Sequence, residues 1–195
     1  MAKMLFTPVP RILKDLIMEV ENGKLGLPEL QRGYVWKATK VRDLLDSMLK
    51  GYPIGYLMIW DSADSTDKSK QIGTDRKPYT APKSLVIDGQ QRLTSLFAVM
   101  RGKKIVDEKF NEKPIIISFN PLTRAFEVGD NAKKRAAEWI YDISEVFLNE
   151  PRSFAYISEK VQSMAESREK AGGTLTDVEK QSIPVSYTHL TLPDE

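Results

Sequence analysis

Five consecutive residues of this chain combine side chains that suit phosphate and metal chemistry: Asp88-Gly89-Gln90-Gln91-Arg92. An apolar run at 85–87 precedes them and an amphipathic segment at 93–100 follows, which predicts a strand, a turn at the glycine and a helix. The start of that helix would offer free backbone N–H groups, the positive end of a helix dipole and an arginine suited to phosphate. The aspartate beside it indicates a metal ligand or a nucleophile.

This segment also has a purely structural interpretation, which the spacing alone leaves open. Asp88 would then cap the helix, Arg92 would form a surface ion pair, and the two glutamines would be solvated. Short motifs of this kind are weak signals by themselves.

A second polar segment, residues 27–37, mixes aromatic and polar side chains without a clear period; its candidates are Gln31, Arg32, Tyr34, Trp36 and Lys37. Such residues suit base stacking and phosphate contacts. The alternative is a buried aromatic pair that anchors a loop, with the arginine in a structural ion pair.

Two further groups of charged residues have alternatives of the same kind. Asp43 and Asp46 lie one turn apart on a predicted helix, where they could share a cation or belong to a solvated face. The basic run 133–135 could contact a nucleic-acid backbone, although such runs are more often solvated.

The composition narrows the available chemistry. The 195 residues include no cysteine, which excludes disulfides, thiolate catalysis and thiolate zinc sites. The single histidine, His189, lies in residues 185–195, whose sequence resembles the read-through translation of a sequencing adaptor; we set them aside and expect the chain to be truncated there. The remaining chemistry uses carboxylates, arginine, lysine, hydroxyls and a hard cation such as Mg²⁺.

The charge and hydropathy of the chain indicate a soluble, cytoplasmic protein that is not associated with a membrane. No apolar run approaches 18 residues and no signal-like N-terminus is present. The net charge of +2 comes from 29 basic and 27 acidic residues, which permits nucleic-acid contact without indicating it.

The elements that must position these residues form an α+β pattern. Helices are predicted at 10–21, about 40–50 and 90–100; Thr39 is the expected N-cap of the second, and Gly51 is expected to end it. Residues 27–36 are expected to be extended or looped. A mostly buried strand is predicted at 54–60, a surface loop at 61–82 and a second strand at 84–87.

The rest of the chain is predicted to begin with a hairpin and to continue mainly as helix. The hairpin joins 114–119 to 125–128 through a turn built around Asn120-Pro121. Helices follow over 131–170, with breaks near 139–142 and at Pro151. Gly172-Gly173 forms a linker, and another helix begins at 176.

Three blocks, in this order, resemble the N-terminal domain of GmrSD-type, modification-dependent restriction systems, which is related to the ParB/sulfiredoxin fold. The blocks are Gln31-Arg32-x-Tyr34-x-Trp36, Asp46-Ser47 with Gly51-Tyr52-Pro53-Ile54-Gly55, and Ile87-Asp88-Gly89-Gln90-Gln91-Arg92-Leu93-Thr94. The resemblance is firm over about 10–101 and looser toward 147. It implies a small mixed sheet flanked by helices in a nucleotide-binding domain at 1–130, followed by a helical extension at 131–184.

The resemblance also implies a function. The domain would bind and hydrolyse a nucleoside triphosphate with Mg²⁺ and couple this to recognition of modified phage DNA. Carried over by position, the catalytic residues are Asp88, Gln90, Gln91 and Arg92, with Asp88 as the metal ligand; the nucleotide-binding residues are Gln31, Arg32, Gly89 and Thr94; and the DNA-binding residues are Tyr34, Trp36 and Lys37. Tyr34 and Trp36 could serve packing instead.

Members of this family often carry an HNH-type nuclease domain, whose chemistry needs histidine and a metal. Because the chain has no histidine before residue 185, we expect the nuclease to lie on a further domain or a separate subunit. Three hypotheses therefore remain: an NTP-hydrolysing regulatory domain, a binding module that does not hydrolyse nucleotide, and, ranked last, a carboxylate-based nuclease.

Overall fold

A four-stranded mixed sheet lies at the centre of the N-terminal part of this computed structural model, which describes residues 6–28, 33–61, 69–70, 82–148 and 154–191. The strands are β1 (Leu25–Pro28), β2 (Met58–Asp61), β3 (Ser69–Lys70) and β4 (Ser84–Asp88), in the order β2-β4-β1-β3. β1 and β4 run parallel, whereas β2 pairs with β4 and β3 pairs with β1 in antiparallel fashion. The α+β class predicted from the sequence is confirmed.

Three helices bury apolar side chains in the core: α1 (Leu13–Glu21), α2 (Ala38–Leu49) and α3 (Gln90–Arg101). The buried positions of α1 and α2 are Leu16, Ile17, Val20, Val41, Leu44 and Leu45. Helix α3 is the most buried of the three, since Leu93 and residues 95–99 all lie in the interior. Because these residues hold α3 in the core, the N-terminus of the helix has a fixed position at the end of β4.

Two antiparallel hairpins follow α3: β5 (Lys104–Val106) with β6 (Glu112–Pro114), and β7 (Ile117–Asn120) with β8 (Ala125–Val128). The second hairpin and its Asn120-Pro121 turn were predicted, although its first strand begins at Ile117 rather than at Pro114, which ends β6. The Asn120 side-chain oxygen accepts hydrogen bonds from the backbone N–H groups of Leu122 and Thr123, at 2.9 and 3.1 Å. This side chain replaces backbone acceptors within the turn, as asparagine commonly does.

The C-terminal part consists of helices, as predicted: α4 (Asn131–Arg135), α5 (Ser144–Leu148), α6 (Phe154–Lys170) and α7 (Asp177–Thr191). The predicted break at Pro151 lies outside the described residues. Helix α7 continues past residue 184 into the segment that the sequence analysis set aside. Ser186 is buried there, and its hydroxyl donates a hydrogen bond of 2.8 Å to the carbonyl of Pro121.

Helices α1 and α2 differ from their predicted starts. Helix α1 begins at Leu13 rather than Pro10. Lys37, not Thr39, is the N-cap of α2, because its extended backbone places its carbonyl to accept from the N–H groups of Lys40 and Val41. The predicted N-cap, Thr39, lies inside the first turn.

The mostly buried strand predicted at 54–60 is the largest error. The strand begins only at Met58, because Gly55 has a left-handed backbone, with φ of +85°, that interrupts an extended chain. It is also an edge strand of the described sheet, which leaves Met58 57% and Trp60 51% exposed. Most of the predicted loop 61–82 lies outside the described residues. No helix in the described ranges is long and apolar enough to cross a membrane.

Candidate functional site

The turn between β4 and α3 places the end of a strand directly beside the start of a helix. Gly89 is the N-cap of α3, and its φ of +84° belongs to the left-handed region that favours glycine. A Cβ at this position would collide with the side chain of Leu57 and lie 3.0 Å from Arg92 Nη2. No side chain caps the helix, so the interpretation in which Asp88 is the cap is wrong.

A polar cavity of about 310 Å³ lies over this turn; it is lined by Trp36, Lys40, Ile87, Asp88, Gly89, Gln90, Gln91 and Arg92. The Asp88 side chain is 75% exposed at its edge. The first N–H groups of an α-helix have no intrahelical acceptor. The cavity lies at the start of α3, so these donors are available to an anion there. The structure therefore brings the whole 88–92 segment and Trp36 together.

Lys40 lines this cavity although the sequence analysis did not single it out. Its ammonium group lies 4.5 Å from the centre of the Trp36 ring, in a cation–π contact. The signal in the sequence was the spacing of four residues between Trp36 and Lys40 at the start of a predicted helix. Lys37, which was predicted to bind DNA, is exposed but does not line the cavity.

Arg92 does more than form the surface ion pair of the structural interpretation. Its Nη1 donates a short hydrogen bond to the carbonyl of Ile54, and its Nη2 donates one of 2.7 Å to the carbonyl of Tyr56. Nη2 also lies 3.8 Å from Asp88 Oδ2, and the arginine side chain is only 18% exposed. Arg92 thus joins α3 to the backbone of the segment before β2 while it faces the cavity.

The two glutamines are bound to backbone rather than solvated. Gln90 is buried, and its amide nitrogen donates to the carbonyl of Val86 at 2.8 Å. Gln91 accepts from the N–H of Val35 at 3.0 Å and donates to the carbonyl of Gly33 at 3.3 Å. Gln90 therefore fixes α3 to β4, and Gln91 fixes the 33–37 segment to α3.

The sequence left two roles open for Tyr34, packing in the core and contact with DNA, and its position in the structure is that of a packing residue. It is buried, and its hydroxyl lies 2.7 Å from Ser95 Oγ. Because Ser95 donates its only hydroxyl proton to the carbonyl of Gln91 at 2.6 Å, Tyr34 is the donor of the pair. Burial raises the pKa of Tyr34. The ring is therefore unavailable for stacking on a base, in contrast to the predicted DNA contact.

Gln31 and Arg32 lie outside the described residues. Thr94 is half-buried one turn along α3 and does not line the cavity.

The other charged groups are engaged locally. Asp43 pairs with Arg42 and Asp46 pairs with Lys50, each at 2.6 Å, which favours the solvated-face interpretation of these two aspartates. In the basic run, Lys133 pairs with Asp130 at 2.7 Å. Within the described ranges, no group of three or more histidine, cysteine, aspartate or glutamate side chains is placed to hold a metal ion.

The resemblance noted in the sequence is confirmed by comparison with known proteins. The uncharacterized protein MJ0686 of Methanocaldococcus jannaschii is 34% identical over 95 residues, which cover 44% of this chain but only 16% of that protein. The family model of the GmrSD restriction endonuclease N-terminal domain matches residues 13–184. Because this match covers most of the chain, the chain belongs to the GmrSD restriction endonuclease N-terminal domain family.

Proposed function

We propose that this domain binds a nucleoside triphosphate in the cavity at the start of α3 and hydrolyses it during DNA recognition by a modification-dependent restriction system. The observation that carries the proposal is the cavity itself, which combines a helix N-terminus, the ammonium of Lys40, the guanidinium of Arg92 and the exposed carboxylate of Asp88. These are the groups that bind phosphate oxygens and a phosphate-bound cation.

Phosphate binding in this proposal uses the backbone first. The N–H groups of the first turn of α3 point toward the cavity end of the helix, where the dipole favours an anion. Lys40 adds a mobile positive charge from α2. Arg92 has five N–H donors in its guanidinium, so its two bonds to carbonyls leave donors for an oxygen of the ligand.

The donor set at the cavity fits Mg²⁺ bound together with a nucleotide. Mg²⁺ in such sites takes one or two protein carboxylates and completes its shell with phosphate oxygens and water, so Asp88 alone suffices as the protein ligand. The cation would supply charge neutralisation on the phosphates. The chain's own contribution is to hold the phosphates in line, since positioning and charge stabilisation provide most of the rate of phosphoryl transfer.

The glutamines have a positioning role in this proposal rather than the catalytic role that the resemblance implies. Both side-chain amides already bind backbone groups of neighbouring segments. Trp36 at the cavity wall and exposed Lys37 remain the proposed contacts to DNA. The proposed nuclease partner is an HNH-type domain or subunit, in keeping with the restriction endonucleases for which the family is named.

The experiment is phosphate release from GTP, ATP and CTP with Mg²⁺, with and without DNA, by the protein and its Asp88→Asn variant. We expect Asp88→Asn to lower turnover at least about tenfold, which corresponds to about 1.4 kcal/mol of transition-state stabilisation. Asp177→Asn is the matched control, because that carboxylate is 95% exposed on α7. Equal turnover by the protein and Asp88→Asn would remove Asp88 from the mechanism.

A non-hydrolysing binding module is the second candidate, and the glutamine contacts favour it. The amides of Gln90 and Gln91 are oriented by hydrogen bonds to backbone groups of neighbouring segments rather than by the cavity, so their contacts are those of positioning side chains. Nucleotide binding without phosphate release would establish this candidate. The nuclease hypothesis has no support in the described part of the chain, where no cluster of metal-binding side chains is found.

A further inference from the structure

We infer that Gly55 is a positioning residue for Arg92, and that the segment from Ile54 to Tyr56 orients the arginine toward the ligand of the cavity. The inference deepens the proposed function and rests on it for the identity of the ligand. Its geometric part, the binding of the Arg92 guanidinium by the carbonyls of Ile54 and Tyr56, does not depend on the identity of the ligand. It also gives a role to Gly55, the one glycine of the Gly51–Gly55 block that helix termination and turn formation leave unexplained.

The contacts place Gly55 directly beneath the guanidinium. The carbonyls on both sides of Gly55, from Ile54 and Tyr56, accept hydrogen bonds from Nη1 and Nη2 of Arg92. A Cβ on Gly55 would lie 2.5 Å from Nη1 and 3.4 Å from Cζ of Arg92. The guanidinium therefore occupies the space that any other residue at position 55 would fill.

The hydrogen bonds from Arg92 to the carbonyls of Ile54 and Tyr56 determine the direction of its remaining N–H donors. An arginine fork binds anions with directional hydrogen bonds, and a preorganised fork loses less side-chain entropy when it binds. Here two carbonyls and the nearby carboxylate of Asp88, at 3.8 Å, hold the fork at the cavity. A shifted guanidinium would keep its charge but lose this orientation.

Gly51 provides a matched control within the same block. Its φ of +70° is close to the +85° of Gly55, so alanine imposes a similar backbone strain at either position. However, a Cβ on Gly51 would meet nothing within 4 Å, whereas one on Gly55 meets Arg92. The difference between the two alanine variants therefore reports displacement of the arginine.

The first measurement is the affinity for a non-hydrolysable GTP, ATP or CTP analogue with Mg²⁺. We expect Gly55→Ala to weaken binding at least about tenfold more than Gly51→Ala, the effect of losing one charged hydrogen bond. In an Arg92→Ala background, adding Gly55→Ala should cause no further loss, because the two substitutions act through one contact. Equal affinities of the two glycine variants, or an undiminished effect in that background, would overturn the inference.

A second measurement, the urea midpoint of unfolding, separates this inference from the proposed function. If the protein binds none of the three analogues, the proposed function fails, and the midpoints alone decide whether Gly55 seats Arg92. If the segment from Ile54 to Tyr56 holds Arg92, the urea midpoint of Gly55→Ala should be lower than that of Gly51→Ala. In the Arg92→Ala background, the two glycine substitutions should give the same midpoint. Equal midpoints of the two glycine variants in the presence of Arg92 would disprove this role of Gly55. If Gly55→Ala does not fold, the variant that combines Gly55→Ala with Arg92→Ala must fold. Failure of that double variant to fold would also disprove the role of Gly55.

Discussion

At the scale of single residues, the cavity is built by side chains that bind backbone groups far away in the sequence. Gln91 is the clearest example, since its amide bridges the N–H of Val35 and the carbonyl of Gly33 as a neighbouring strand would. This bridge holds Trp36 beside the cavity. An amide is well suited to the task, because it offers a donor and an acceptor in one plane.

Replacement of Gln91 by methionine tests this bridge, because methionine has a similar length and lacks the amide. We expect Gln91→Met to lower the free energy of unfolding by about 1–2 kcal/mol, the net contribution of two hydrogen bonds. Chemical denaturation measures this change. The control is Gln181→Met at an exposed position of α7, for which about 0.5 kcal/mol or less is expected. A loss no larger than the control's would show that the bridge contributes nothing to stability.

Asp107 gives a second prediction at this scale. Its carboxylate accepts from the backbone N–H groups of Asn111 and Lys109, at 3.0 and 2.9 Å, and lies 3.4 Å from Lys113 Nζ. These hydrogen bonds, led by that from Asn111, hold the pKa of Asp107 below its usual value of 3.8. The contribution to stability is therefore present above pH 3.8 and is lost as the pH falls through the lower, folded-state pKa.

We expect Asp107→Asn to keep an acceptor for both N–H groups but to remove this acid dependence. The melting temperature of the variant should lie below that of the unmodified protein at neutral pH, and the difference should shrink between about pH 4 and pH 2. Thermal unfolding across this range makes the measurement. A difference in melting temperature that stays constant from neutral pH to pH 2 would contradict the assigned role of the carboxylate.

At the scale of elements, the β4–α3 unit was predictable because it depends on local sequence. A short apolar run, a glycine that accepts positive φ and an apolar helical stripe determine the strand, turn and helix within 18 residues. The strand predicted at 54–60 failed for a tertiary reason. Arg92, more than 30 positions away, binds the carbonyls of Ile54 and Tyr56, and the left-handed Gly55 lies between them.

The β7–β8 hairpin packs against α2 and contributes Phe119 and Phe126 to the core. Phe119 is fully buried, and its ring centre lies 4.9 Å from that of Phe126 on the partner strand. We expect Phe119→Ala to cost about 3–5 kcal/mol of the free energy of unfolding. Phe110→Ala is the control, because Phe110 is 87% exposed in the β5–β6 turn. Similar losses for both variants would show that the hairpin does not belong to the core.

At the scale of the whole molecule, the sequence predicted the class of fold and the location of the cavity but not the hydrogen bonds that hold its side chains in place. Composition had reduced the chemistry to carboxylates, arginine, lysine, hydroxyls and a hard cation, and the cavity is lined by a carboxylate, an arginine and a lysine. However, the partners of Gln91 and Arg92 lie 36 to 58 residues away, so helical or strand periodicity carries no information about them. Lys40 was missed because its four-residue spacing from Trp36 indicates a contact with that ring but does not show that α2 packs beside α3 at the cavity.

The central claim is that the start of α3 holds the triphosphate, and amide NMR on the isotope-labelled protein tests it most directly. Titration with a Mg²⁺-bound, non-hydrolysable nucleotide should shift the backbone N–H signals of residues 90–92 and the indole N–H of Trp36 most strongly. The same titration of Asp88→Asn should require higher nucleotide concentrations. Saturable shifts confined to α6 and α7, or no shifts at millimolar nucleotide, would contradict the account.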